Sequence, residues 1–271
     1  MIIAQISDFH LRADGSLAHG VVDTCKALAA AVARLAAIRP TPDVVLATGD
    51  LVDDGTPEEY RLLRQTLAPL RMPVFLIPGD RDRRETLRAE FGGDGYFPEN
   101  GSALHFVVDR FPVRLIGLDT TVPGAKTGAI CAERHAWLEA RLAEAPNRPT
   151  VIFMHHPPFK TAVPFMDEQS FDGADALEAL VRRHPQVERV VCGHLHRPIQ
   201  RRWGGTVATV CPSTAFQMQM ELRPDVPMGL TLEPASGLLH LWNEATGLVT
   251  HALPLADHPR FPFQRRAAKS M

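Results

Sequence analysis

Cysteine is scarce in this chain and has no pairing pattern. Cys25, Cys131, Cys192 and Cys211 are scattered through 271 residues with no Cys-x-x-Cys among them. That excludes a disulfide framework and predicts reduced thiols in a cytoplasmic protein. Long hydrophobic runs are missing as well. No stretch approaches about 18 consecutive apolar residues, so no membrane span is expected. The N-terminus has no basic segment, and Asp8 interrupts its apolar run at once, so no signal peptide is expected either. Neither sign of charge dominates: 29 Lys and Arg against 31 Asp and Glu leave a formal charge of −2. That balance argues against a nucleic-acid polymer as partner and against a polybasic membrane anchor.

What the chain does have is an alternation of apolar strands and amphipathic helices. Hydrophobic residues make up 45% of it and charged residues 22%, as in ordinary globular domains, and 271 residues can bury a substantial core. Met1 to Ile6 reads as a buried strand and stops at Ser7-Asp8-Phe9-His10. Val21 to Ile38 follows with helical spacing, ended by Pro40 and Pro42. Asp43 to Thr48 predicts a second strand that runs into Gly49-Asp50. Thr56-Pro57-Glu58-Glu59 has the form of a capping box with Pro at the first helical position, so a helix begins there. Met72 to Ile77 predicts a third strand, closed by Gly79-Asp80-Arg81-Asp82.

The alternation continues. A strand over Thr150 to Met154 opens into His155-His156-Pro157-Pro158, and one over Val187 to Cys192 ends in Gly193-His194-Leu195-His196. Helices are predicted over Ala132 to Glu144 and Ala174 to Arg183. From Ile199 the helices cease and short antiparallel strands are expected. Asp257 to Met271 reads as a frayed tail or an arm against a neighbouring subunit.

Asp8, His10, Asp50, Asp80, His156, His194 and His196 all fall at strand exits. In an open α/β sheet the carboxyl ends of strands line the ligand crevice, and carboxylate with imidazole suits Zn²⁺, Mn²⁺ or Fe²⁺. Any one of these exits has a bland reading as a turn acid or a packed loop His. Together they are too many in one topological position for chance, and they do not balance as ion pairs. Two divalent cations sharing one carboxylate would use them all. Asp8, His10 and His196 would take one ion, Asp80, His156 and His194 the other, with Asp50 bridging.

Asp8-x-His10, Gly49-Asp50, Gly79-Asp80-Arg81-Asp82, His155-His156-Pro157-Pro158 and Gly193-His194-Leu195-His196 together resemble the signature set of the calcineurin-like binuclear metallophosphoesterases. Within them the chain is most similar to bacterial class III cyclic-nucleotide phosphodiesterases and to glycerophosphodiesterases. The resemblance runs from Met1 to about Pro212 and implies the same sorting of ligands between two metals. It also implies an α/β fold, an αββα sandwich of two mixed sheets with a small C-terminal β-rich cap. The expected division is a catalytic domain over residues 1–212, then C-terminal strands, a cap or dimerisation segment and a tail over 213–271. A homodimer or higher oligomer is implied with it.

The implied activity is hydrolysis of a small phosphodiester by a hydroxide activated between the ions, with in-line displacement. A phosphomonoesterase, a nuclease, or a non-catalytic binding protein of the same fold are the alternatives. Relatives usually carry Asn and His where this chain has Asp80 and Arg81. Asp80 keeps an oxygen ligand and adds charge, while Arg81 supplies a permanent cation whose planar fork suits phosphate oxygens. An ion pair of Arg81 with Asp82 is the competing reading. Phe216, in place of a substrate-facing His of relatives, implies a less polar pocket. His155 is expected beside the ligands, packing or facing substrate, not binding metal.

Overall fold

A computed structural model describes residues 1–259 and 261 of the chain. The first half contains β1 (Ile2–Ile6), α1 (Thr24–Ala37), β2 (Val44–Thr48), α2 (Pro57–Leu67), β3 (Val74–Ile77), α3 (Arg84–Phe91), β4 (Phe106–Val108) and β5 (Arg114–Leu118). Then come β6 (Gly128–Ala129), α4 (Ala132–Ala143), β7 (Thr150–Met154), α5 (Pro164–Asp167), β8 (Phe171–Asp172), α6 (Ala174–Arg182) and β9 (Val187–Cys192). The last elements are β10 (Ile199–Trp203), β11 (Thr206–Val210), β12 (Gln217–Met218), β13 (Leu230–Thr231), β14 (Ser236–Asn243) and β15 (Gly247–Pro254).

Two mixed sheets form the body, in the orders β15-β14-β1-β2-β3 and β10-β11-β9-β7-β5-β4. Strands β1, β2 and β3 are parallel, as are β5, β7, β9 and β11; helical crossovers join β1 to β2, β2 to β3, β5 to β7 and β7 to β9 and cover the outer faces, while β10 joins β9 to β11. Every residue of β2, β5 and β7 is buried, which requires cover on both sides. The result is the αββα sandwich. Gln5 ties its inner faces together, its Nε2 donating to Thr48 Oγ1 at 3.1 Å and to the Cys192 carbonyl at 2.9 Å.

Local sequence explains most boundaries. Thr56 and Glu59 exchange side-chain and backbone hydrogen bonds as a capping box at the start of α2. Helix α3 has no counterpart in the expectations, because Arg83 at its N-cap makes no side-chain capping bond and only Leu87 and Phe91 are buried. Beyond residue 212, β14 pairs antiparallel with β1, Ile3 opposite His240, and β15 closes that edge. A buried parallel strand such as β1 cannot leave one side unpaired, and the C-terminal hairpin supplies its neighbour. Of the expected tail, residue 260 and residues 262–271 lie outside the described residues.

Candidate metal centre

Because the central strands are parallel, their carboxyl ends emerge on one rim, and the turns there are unusual. Among the described residues seven non-glycine residues have positive φ, and five are Asp8 (54°), His10 (47°), Asp50 (48°), His194 (73°) and His196 (49°). Such backbone costs a residue with a Cβ roughly 1–2 kcal/mol and collects where surrounding structure enforces it. Two glycines allow the turns to touch. A Cβ on Gly79 would stand 2.2 Å from Asp50 Oδ1, and one on Gly193 would stand 2.0 Å from Ser7 Oγ.

Two donor clusters result. Asp8, His10 and His196 offer atoms within 4.8 Å of one another, and so do Asp80, His155, His156 and His194. Asp50 lies between them, Oδ2 3.5 Å from His10 Nε2 and Oδ1 3.4 Å from His155 Nε2. All of these side chains are buried or nearly so.

The outer ring nitrogens identify the inner ones. His196 Nδ1 donates to the Phe216 carbonyl at 2.9 Å, and His10 Nδ1 to Asp53 Oδ1 at 3.3 Å. His155 Nδ1 donates to the Thr48 carbonyl at 2.8 Å, and His194 Nε2 to Gln169 Oε1. These partners only accept, so each opposite nitrogen presents a lone pair in the neutral ring. His10 Nε2 and His196 Nε2 then face each other at 3.1 Å, and His155 Nε2 faces His194 Nδ1 at 3.2 Å. Facing nitrogens at that distance need a proton or a cation between them, and a bound cation would take the place of the proton. Carboxylate oxygens flank both pairs, so the residues fit two divalent cations. Among the described residues the buried His156 Nε2 also has no partner, while His156 Nδ1 is 2.9 Å from Thr120 Oγ1.

The charges are strongly interdependent. Burial pushes Asp50 well above the usual carboxylate range, reinforced by the charges of Asp80 and Asp8 against the pull of His155. Burial also opposes ionisation of Asp8, but His196, His155 and His10 outweigh it and bring its carboxyl to about 2. Asp80 is likewise held far below its ordinary value, burial being overridden by hydrogen bonds and charge from His155 and His194. His155 would lose its proton through burial, yet Asp50, Asp80 and Asp8 raise it to about 10. His156 is driven well down by burial and by the neighbouring imidazoles. Carboxylates this deep demand positive charge.

All the sequence-derived donors come together here, with two differences in detail. His155, expected to pack or to face substrate, is fully buried with Nε2 3.2 Å from Asp80 Oδ1, whereas His156 Nε2 is 3.9 Å from the same oxygen. Phe216 does not line the cleft. Its ring is 3% exposed and packs on the His196 and His10 rings, with centroids 4.7 and 5.4 Å away. Burying that ring against the imidazoles removes it from solvent, which outweighs exposing it to a polar cleft.

Arg81 lies beside Asp50. Its backbone N–H donates to Asp50 Oδ1 at 3.0 Å, and its side chain lines a cleft of about 460 Å³ beside Asp80. The ion pair with Asp82 is not made, because Asp82 accepts from Gly79 N, Leu51 N and Tyr60 Oη instead. Sequence reasoning missed the outer partners Asp53, Thr120, Thr48 and Gln169. Asp53 and Thr120 follow strand exits and could have been suspected; nothing local marks Thr48 or Gln169.

A family model for the calcineurin-like phosphoesterases matches residues 1–198. The chain is 38% identical over 252 residues to "Probable glycerophosphodiester phosphodiesterase GpdQ" of Arcobacter nitrofigilis, covering 93% of this chain and 92% of that one. It is 30% identical over 220 residues to the 3',5'-cyclic adenosine monophosphate phosphodiesterase CpdA of Escherichia coli, covering 80% and 77%. In three dimensions it resembles a dimetal phosphatase from Danio rerio with a TM-score of 0.65 at 14% identity, over 94% of this chain and 99% of that one, a likeness of fold. The protein belongs to the calcineurin-like phosphoesterase family.

Proposed function

We propose that the protein is a binuclear metal-dependent phosphodiesterase acting on small phosphodiesters, glycerophosphodiesters and cyclic nucleotides being the classes that its relatives' names suggest. Asp8, His10, His196 and Asp50 would hold one cation, and Asp50, Asp80, His155 and His194 the other. This assignment puts His155 in the ligand position first given to His156, because its free nitrogen lies nearest the carboxylates and its other nitrogen is anchored to a backbone carbonyl. The donor set of oxygen and imidazole suits Mn²⁺, Fe²⁺ or Zn²⁺.

When bound, a pair of divalent cations supplies Lewis acidity toward phosphate oxygens and lowers the pKa of water toward neutrality. The chain's own groups do the rest. Asp50 fixes the two positions relative to each other, and Asp53, Thr48 and the Phe216 carbonyl hold the imidazole planes. Arg81 contributes a planar cation at the cleft for a non-bridging phosphate oxygen.

The observation that carries this reading is the pair of Asp and His clusters joined by Asp50, and the relatives' names favour a diester. In the cleft, Arg84 is committed to Asp119 and the Thr121 carbonyl, whereas among the described residues neither Arg81 nor Arg83 is ion-paired, Arg83 donating only to the neutral Asp54 carbonyl, so both remain available to phosphate oxygens. The near-neutral net charge speaks against a nuclease.

We place the protein in the cytoplasm, in keeping with its four free cysteines; no described helix is long and apolar enough to cross a membrane. A homo-oligomer is supported by the exposed apolar side chains Met220, Leu222 and Leu232 of the C-terminal segment. The test of function is hydrolysis of bis(p-nitrophenyl) phosphate against p-nitrophenyl phosphate, after stripping with EDTA and reconstitution with Mn²⁺. Metal-dependent turnover favouring the diester is expected. A monoester preference would make the protein a phosphatase, and no turnover with any divalent ion would leave a binding protein.

A further inference from the structure

Four imidazoles present a lone pair to the two clusters, and their outer nitrogens are not anchored alike. His155 and His196 are held by backbone carbonyls, of Thr48 and Phe216. His10 is held by Asp53, a carboxylate itself braced by the Arg12 guanidinium. His194 is held only by the side-chain amide of Gln169, which lies between α5 and β8.

That segment is stiffened from within. The Asp167 carboxylate accepts from Thr161 N at 2.6 Å, Thr161 Oγ1 at 2.9 Å and Ala162 N at 2.9 Å. On the far side of Gln169, β8 pairs with β6, Phe171 opposite Gly128. Gln169 is thus presented to His194 from a braced loop. It also lines a cavity of about 470 Å³ on the outer side of that loop, with Phe159 and Arg201.

Accepting from Nε2 forces the proton of the neutral His194 ring onto that nitrogen and turns Nδ1, 3.1 Å from Asp80 Oδ1, toward the cluster. We propose that Gln169 is a positioning residue that selects the tautomer and plane of His194 and so sets the affinity of the second cation position. The proposal rests on the binuclear reading above. Gln169 touches neither the Asp8, His10 and His196 cluster nor Arg81, so its effect should be confined to one of the two ions.

The experiment compares wild type with Gln169→Leu, which keeps the bulk and removes the acceptor, and with Gln169→Glu, which keeps an acceptor. EDTA-stripped full-length protein is titrated with Mn²⁺ alone, followed by calorimetry and by the exchange-coupled electron paramagnetic resonance signal of paired Mn²⁺. In Gln169→Leu one of two binding steps should weaken roughly 10–100-fold while the other stays, and the coupled signal should appear only at correspondingly higher Mn²⁺. Gln169→Glu should restore the weakened step, and saturating Mn²⁺ should return Gln169→Leu to near wild-type kcat. Two unchanged steps in Gln169→Leu, equal weakening of both, or no rescue by Gln169→Glu would overturn the proposal. A wild-type stoichiometry of one ion would overturn the binuclear reading itself before any variant is compared.

Discussion

His155 Nδ1 donates to the Thr48 carbonyl at 2.8 Å, a hydrogen bond from the exit of β7 to the end of β2 across the two sheets. It holds the ring so that Nε2 lies among Asp50, Asp80 and His194, while the adjacent His156 is turned toward Thr120. On the proposed reading, the first of the two neighbours is the ligand.

His155→Ala should therefore abolish binding at the second position, a larger loss than the roughly 10–100-fold typical of an outer partner. His156→Ala should fall within that range. Mn²⁺ stoichiometry by calorimetry measures both, and a greater loss in His156→Ala would reverse the assignment.

Arg81→Ala should lower kcat/KM for bis(p-nitrophenyl) phosphate by roughly 10–100-fold, the worth of one hydrogen bond from a charged group at about 1.5–3 kcal/mol. Arg81→Lys should recover part of it, since an ammonium keeps the charge but not the fork. Steady-state kinetics at saturating Mn²⁺ decides; unchanged kcat/KM in the alanine variant would remove Arg81 from substrate binding.

Asp119 has no exposed surface and receives Arg84 Nε at 2.6 Å, Leu104 N at 2.9 Å and Thr121 N at 2.9 Å. Burial alone would push its carboxyl up, but the Arg84 guanidinium holds it below the usual range. Asp119→Ala would leave the largely buried Arg84 unpaired and should destabilise the fold by about 3–5 kcal/mol. Urea denaturation at neutral pH would show it as a shifted midpoint, and a change within about 0.5 kcal/mol would deny the pair a structural role.

His240 is buried between Thr250 Oγ1 and Gln5 Oε1, and burial, aided by Arg189, drives its pKa down from 6.5 to about 3. The unfolded chain then binds a proton that the folded chain refuses, so this contribution is complete above pH 6.5 and is lost as pH falls toward 3. Over that window wild type should lose up to about 1.4 kcal/mol per pH unit more than His240→Gln. Denaturation of both proteins from pH 7 to pH 4 compares the slopes, and parallel slopes would refute the assignment.

Strand exits were legible because a buried strand announces itself as an apolar run and the residue that ends it is polar. Ile2–Ile6 into Asp8 and Thr150–Met154 into the His pair are such cases. Helix α3 was not legible, since it lacks a capping side chain and buries only Leu87 and Phe91. The orientation of Phe216 was not legible, because its position in the chain fixes where its backbone lies, not whether the ring faces the cleft or the imidazoles.

By itself, then, the sequence determined the order of strands and helices and the supply of oxygen and nitrogen donors at their ends. Periodicity and polarity are properties along the chain, and they survive without coordinates. Only the tertiary structure turned His155 toward Asp50 and Asp80 and His156 toward Thr120, brought β14 beside β1, and set Gln169 against His194. Each of those depends on which atoms from distant segments lie within a few ångströms. Adjacent residues point different ways, so the course of the backbone just past the strand exit sets which imidazole faces the Asp50 and Asp80 carboxylates.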